Sequence, residues 1–92
     1  MKSDVISKNL DRADEPLTDE EFERGRTALL ARRARAATGL SQQLFAARYG
    51  FSRASVRDWE QGRRVPARAV RSYLRVVAKM PDQIADALNE PA

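Results

Sequence analysis

The 92-residue chain contains neither cysteine nor histidine. Without cysteine there is no disulfide framework, no thiolate metal site and no thiol nucleophile. With histidine missing as well, the usual zinc sites and Ser-His triads are excluded, and most general acid–base schemes lose their customary player. No apolar run approaches the roughly 20 residues needed to cross a bilayer. The opening stretch, MKSDVISKNLDRADE, has no apolar core of the kind that marks a signal peptide. No helix pairs a basic face with exposed Trp or Phe, so an anionic membrane surface is not expected as a partner. The carboxylates gather towards the two ends, where helix capping and solvation account for them. The expectation is a cytoplasmic protein that is not an enzyme and takes no cofactor, metal or small-molecule ligand. Ninety-two residues suit one domain with a modest core of short helices.

What the chain has in quantity is basic charge, unevenly placed. The formal total is only +4. Residues 1–23 carry Lys2, Lys8 and Arg12 against eight acids, a net −5. Residues 24–79 carry fourteen Lys and Arg against only Asp58 and Glu60, a net +12, and Asp82, Asp86 and Glu90 give the last thirteen residues −3. A middle segment so dominated by one sign points to a polyanion such as nucleic acid, because an ordinary solvated surface intersperses both signs.

Residues 1–16 have few apolar side chains and no sustained period, and are expected to be disordered in isolation. Two readings of this flexible, acidic N-terminal arm stay open. It is a floppy tail, or it orders on a basic partner with Val5, Ile6 and Leu10 as anchors. Helix 1 has a complete start signal. Thr18 caps it while Glu21 reaches back in a capping box, and Leu17 with Phe22 makes the matching hydrophobic staple. Asp19, Glu20 and Glu21 put negative charge at the positive end of the helix dipole. The helix is predicted to run to Thr38 and stop at Gly39, with Gly25 as a weak point costing about 1 kcal/mol relative to Ala. Leu30, Ala34 and Ala37 share one face with Ala31 beside it. Arg32, Arg33 and Arg35 lie opposite, with solvation the expected fate of Arg32 and Arg33.

The stretch SQQLFAARYGFSRASVRDWEQ reads as two short helices joined by a tight turn at Tyr49-Gly50-Phe51. Ser41 caps helix 2, whose apolar residues are Leu44, Phe45 and Ala47, with Ala46 small where the next helix crosses. Gly50 suits a position of positive φ. Ser52 caps helix 3, where Val56 and Trp59 point inward and Arg53, Ala54, Ser55, Arg57 and Asp58 lie off that face. Gly62 ends it. This is the layout of a helix-turn-helix, whose second helix enters a DNA major groove. Pro66 is predicted in the first turn of helix 4, with Ala69, Val70, Tyr73, Leu74, Val76 and Val77 on its apolar side. Met80-Pro81 breaks that helix. A short helix 5 over residues 82–88 offers Ile84, Ala85 and Leu88 and needs a neighbour to be stable. The expected class is therefore all-α, with five helices in one domain over residues 17–88 and a frayed tail over 89–92.

Taken together, RRARAATGLSQQLFAARYGFSRASVRDWEQGRRVPARAVRSYLRVVAK resembles the lambda-repressor-like (Xre/Cro) helix-turn-helix family. The matching features are the GLSQ start, Ala46 four residues after Gln42, Gly50 four later, Val56 six later, and WEQG at Trp59 to Gly62 followed by Pro66. The resemblance covers about residues 29–88. It implies a structural ion pair between Arg35 and Glu60, and a core position for Trp59. Within that family, WEQGRRVPARAVRSYLRVVAKMPDQIADAL is most similar to the HigA-type antitoxins. That resemblance implies a homodimer that represses its own operon and neutralises a RelE-like, HigB-type ribonuclease toxin. Some such antitoxins wrap the toxin with an N-terminal extension.

The mechanism so implied has a dimer pairing through Ile84, Ala85 and Leu88 and adjoining apolar residues of helix 4. Two copies of helix 3 would then sit in successive major grooves of operator DNA, roughly 34 Å apart. Arg53 and Arg57 are the expected base readers, since arginine can donate two hydrogen bonds to guanine, with Ser52, Ala54 and Ser55 adding short contacts. Gln42, Gln43, Arg63 and Arg64 are the expected phosphate ligands, fixing register without reading sequence. Competing readings are a stand-alone Xre-type or phage-type repressor with no toxin, and an adaptor that uses the same fold to bind protein.

Overall fold

The computed structural model describes residues 16–90. Among these it has five α-helices and no strand: α1 (Asp19–Thr38), α2 (Gln42–Tyr49), α3 (Arg53–Glu60), α4 (Arg68–Lys79) and α5 (Pro81–Asn89). Each of the first three starts on a hydroxyl cap. The Thr18 hydroxyl accepts from the Glu21 amide at 3.0 Å while the Glu21 carboxylate accepts from the Thr18 amide at 2.9 Å. This is the reciprocal box that satisfies two orphan donors. Hydrogen bonding to Thr18, its backbone amide first, holds the Glu21 carboxyl below its usual range. Ser41 and Ser52 accept from the amides of Leu44 and Ser55 at 3.1 and 3.0 Å. The staple does not bury its members, since Leu17 and Phe22 are 65% and 54% exposed. Helix α1 passes through Gly25 without a break.

The core lies where α1, α2, α3 and α4 converge. Ala31, Ala34, Phe45, Ala46, Tyr49, Val56, Trp59, Leu74 and Val77 are buried there. Small alanines on α1 let the neighbouring helices approach closely, and α1 packs most extensively on α4 and next on α3. Phe51, in the turn between α2 and α3, joins the aromatic rings. Its centroid lies 5.8 Å from that of Phe45, 5.1 Å from Trp59 and 5.6 Å from Tyr73, the last two edge-on. Edge-to-face packing of this kind adds to simple area burial.

Several expected core residues face water instead. Ala37, Leu44, Ala47, Ala69 and Val76 are exposed, whereas Tyr49 is buried. On an eight-residue helix Leu44 and Phe45 point about 100° apart. Phe45, Ala46 and Tyr49 take the inward side, and Leu44 is left 58% exposed.

The junctions also differ in detail. Pro66 is not in the first turn of α4. It is buried ahead of the helix, which starts at Arg68 after the extended Ala67 and has no side-chain cap. The Pro66 carbonyl is held instead by the Arg71 guanidinium, which donates to it at 2.7 Å. Helix α5 begins one residue earlier than expected, with Pro81 in its first turn, because Met80 at φ −136°, ψ 56° both ends α4 and opens α5. The Tyr49 hydroxyl donates to the Pro81 carbonyl at 2.8 Å, and the Tyr73 hydroxyl donates to the Tyr49 carbonyl at 3.0 Å. The first bond ties α5 to the body of the domain and the second ties α4 to the end of α2, while Ile84 and Ala85 pack partly on the same core.

Four of the eight acids counted in residues 1–23 (Asp19, Glu20, Glu21 and Glu23) belong to α1. Residues 1–16 alone then carry three basic against four acidic side chains, a net −1, so the acidity sits mainly on the helix and little of it on the arm. Val5, Ile6 and Leu10 lie outside the described residues.

Candidate nucleic-acid interface

Glu60 closes α3, with its side chain only 6% exposed. A carboxylate at the negative end of a helix dipole is unfavourable by itself, and burial adds to that cost. The surrounding donors reverse the balance. Arg35 grips the carboxylate with two bonds, Nε to Oε2 at 2.6 Å and Nη2 to Oε1 at 2.9 Å, and Gln42 Nε2 adds a third to Oε1 at 3.2 Å. Arg35 also donates to the Leu40 carbonyl at 3.1 Å, and Arg32 donates to the Glu60 carbonyl at 2.6 Å. Burial pushes the Glu60 carboxyl up, but the Arg35 and Gln42 hydrogen bonds and the charges of Arg35 and Arg32 outweigh it, leaving the group below its usual range. Arg35 is raised correspondingly, first by its hydrogen bond to Glu60. One carboxylate thus fastens α1, the start of α2 and the end of α3 together.

The turn into α3 is made by Gly50 at φ 89°, where the amides of Gly50 and Phe51 both donate to the Ala46 carbonyl at 3.0 and 2.9 Å. At the other end, Gly62 at φ 71° donates to the Trp59 carbonyl and Arg63 to the Asp58 carbonyl, at 3.0 and 2.8 Å. These are the paired bonds of a Schellman motif, and they fix where the chain leaves α3.

Between these anchors Val56 and Trp59 are buried, while Arg53, Ala54 and Arg57, at i, i+1 and i+4, face solvent together. Among the described residues, neither the Arg53 nor the Arg57 side chain has a hydrogen-bonding or ion-pair partner. Ser52 and Ser55 are placed differently from the arginines. The Ser52 hydroxyl serves the cap and donates to the Ser55 hydroxyl at 2.9 Å, and Arg64 Nη2 donates to that same Ser55 oxygen at 3.4 Å. Arg63 and Arg64 are 65% and 59% exposed and lean on Asp58 at 4.0 and 3.4 Å. Such exposed pairs are weak and leave both guanidiniums within reach of another anion. Gln42 is partly spent on Glu60, whereas Gln43 is free to solvent. On α5, Leu88 is exposed and Ile84 and Ala85 are half-buried.

Three roles had no sequence signal. Arg32, expected merely to solvate its helix, bridges to the Glu60 carbonyl. Asp58 holds the arginines that follow α3, and Arg71 secures Pro66. Two of these use a backbone carbonyl as acceptor, which every residue possesses, so no residue pattern could announce them. Among the described residues no group of three His, Cys, Asp or Glu could hold a metal ion, and no helix is long and apolar enough to cross a membrane.

Residues 26–87 match the family model described as a helix-turn-helix domain, 62 of the 92 residues. No curated protein and no solved structure matches the chain. The match begins within α1 and ends within α5, so it takes in the Arg35–Glu60 anchor, the Gly50 turn and all of α3. The chain belongs to the helix-turn-helix domain family, that of Xre-like DNA-binding regulators.

Proposed function

We propose that the protein is a sequence-specific repressor that lays α3 in the major groove and reads bases through Arg53, Ala54 and Arg57. The observation carrying this reading is that two unpartnered arginines stand side by side on an exposed helix whose opposite face and both ends are fixed. Ser52 and Ser55 contribute at the groove edge. The free amides at the start of α2, with Gln43, Gln42, Arg63 and Arg64, contact phosphates on either side and set the register. A homodimer pairing through Leu88, with Ile84 and Ala85 behind it, presents two copies of α3 to one duplex. Replacing Arg57 with Ala is expected to cost about 1–3 kcal/mol of operator binding and to relax preference at one base pair. Unchanged binding to both operator and random DNA would remove Arg57 from the reading set.

The sequence similarity of WEQGRRVPARAVRSYLRVVAKMPDQIADAL to HigA-type antitoxins supports a second role, as the antitoxin of a type II module that neutralises a RelE-like ribonuclease. Val5, Ile6 and Leu10 are the proposed toxin contacts. Deleting residues 1–16 is then expected to weaken neutralisation and spare operator binding. If the product of the adjacent gene neither co-purifies with the protein nor is toxic alone, the stand-alone repressor is the correct reading.

A further inference from the structure

Residues 24–79 hold only two acids, Asp58 and Glu60, among fourteen Lys and Arg. The anchor built on Arg35 accounts for Glu60. Asp58 stands in the last turn of α3, where the negative end of the helix dipole disfavours a carboxylate. Its ion pairs give little in return, because Arg63 at 4.0 Å and Arg64 at 3.4 Å are both largely exposed. Helix stability therefore does not explain an acid at this position. Attraction to phosphate does not explain it either, since the acid opposes it.

Its direction around α3 is informative. At 100° per residue, Ala54 and Asp58 lie roughly 165° and 155° from the mean direction of the buried Val56, Trp59 and Glu60. One turn apart, these two form the crest of the helix. Arg57 lies on one flank and Ser55 on the other, each roughly 100° from the buried side. The Asp58 side chain is nevertheless only 23% exposed, and the arginines that follow α3 lie against it. Arg64 reaches from one turn of α3 to the next, with Nε 3.4 Å from Asp58 Oδ2 and Nη2 donating to Ser55 Oγ at 3.4 Å. A carboxylate on the crest is thus masked in the free chain by two guanidiniums that are themselves suited to phosphate.

We propose that Asp58 is a specificity-determining residue, which admits α3 only where the base opposite offers an amino hydrogen, that of cytosine N4. This rests on the reading of α3 as the helix in the groove. As α3 seats, Arg63 and Arg64 exchange the carboxylate for backbone phosphates, and Asp58 is left facing a base edge. Cytosine presents a donor there. Guanine and thymine present acceptors, and adenine sets its N7 acceptor beside its amino group. Each of these three leaves the carboxylate against a like partial charge. Arg53 and Arg57 favour the right bases, whereas Asp58 discriminates by repelling the wrong ones. The same charge lowers binding to DNA of random sequence.

The test uses the full chain, with sites enriched from a randomised duplex pool and affinities measured by fluorescence anisotropy. Wild type is expected to enrich one position for cytosine, and replacing that base pair is expected to weaken binding about tenfold. Asp58→Ala is expected to enrich the rest of the site, to lose about twofold or less from the same replacement, and to bind random duplex about fivefold more tightly. Its melting temperature is not expected to fall, since Ala is the better helix former. Adding Asp58→Ala to an Arg63→Gln/Arg64→Gln background separates reading from holding. There the cytosine preference is again lost, whereas an acid that only positions those arginines would have no further effect, and an unchanged preference overturns the proposal. If wild type and Asp58→Ala enrich the same bases equally, Asp58 does not discriminate and the reading of α3 stands without it. If wild type enriches no site at all, that reading falls and the proposal falls with it.

Discussion

Replacing Glu60 with Gln is the most direct test of what holds α3 in place. The carboxylate is nearly inaccessible and accepts three hydrogen bonds, two of them from one guanidinium. Removing one member of a buried pair usually costs about 3–5 kcal/mol, chiefly because the survivor is left charged and unpaired. Arg35 remains 30% exposed and recovers part of its hydration, so the expected loss lies at the lower end, about 3 kcal/mol. For a domain of this size that lowers the melting temperature by about 12 °C or more. Urea unfolding followed by helical circular dichroism measures it. The double variant Arg35→Met/Glu60→Leu is expected to lose less than the sum of its singles, since a matched apolar pair leaves no orphan charge. The pH dependence gives a second readout. The folded Glu60 carboxyl lies below the ordinary value of 4.5, so its stabilisation is complete above that pH and disappears as pH falls through the folded value. Wild type therefore loses stability faster than Glu60→Gln as pH drops below 4.5. Single-site losses under about 1 kcal/mol that add without coupling would mean that the pair behaves as an exposed one, and the anchoring argument would fail.

Two further outcomes follow from the turn and from α5. Gly50→Ala is expected to cost about 1–2 kcal/mol from the left-handed backbone alone, because nothing stands within 4 Å of the added Cβ; an unchanged urea midpoint would show that the turn relaxes freely. Tyr49→Phe keeps the buried ring but removes the hydroxyl that holds the Pro81 carbonyl. It is expected to cost about 1 kcal/mol and to raise amide exchange across α5, so protection unchanged in α5 with lowered overall stability would contradict the tethering role.

The parts of the fold legible in the residues are those governed by local chemistry. Thr18, Ser41 and Ser52 announce three helix starts because a hydroxyl there has one favourable use, and Gly39 and Gly50 announce two ends because their backbones need positive φ. The start of α4 was not legible. Ala67 offers no capping group, so Pro66 attracted the helix start to itself, although Arg71 is what fixes it. Inward faces were only half legible, since the apolar alanines at 37, 47 and 69 fit water or core equally well and tertiary packing chose water. Long-range polar contacts were legible at Arg35–Glu60 through family resemblance alone. Arg32 to Glu60, spanning 28 residues and ending on a backbone oxygen, left no trace in the sequence.

Because Arg35, Arg32 and Gln42 all converge on the last residue of α3, that helix is clamped at one end and presents the other. Its stability resides in Val56, Trp59 and Glu60, while Arg53, Ala54 and Arg57 contribute little to folding. If Arg53, Ala54 and Arg57 read DNA as proposed, stability and recognition are carried by different side chains of a single eight-residue segment. Those three outward positions can drift, or be randomised together in a library, with little risk to folding. A regulator built this way can acquire a new operator without first acquiring a new scaffold.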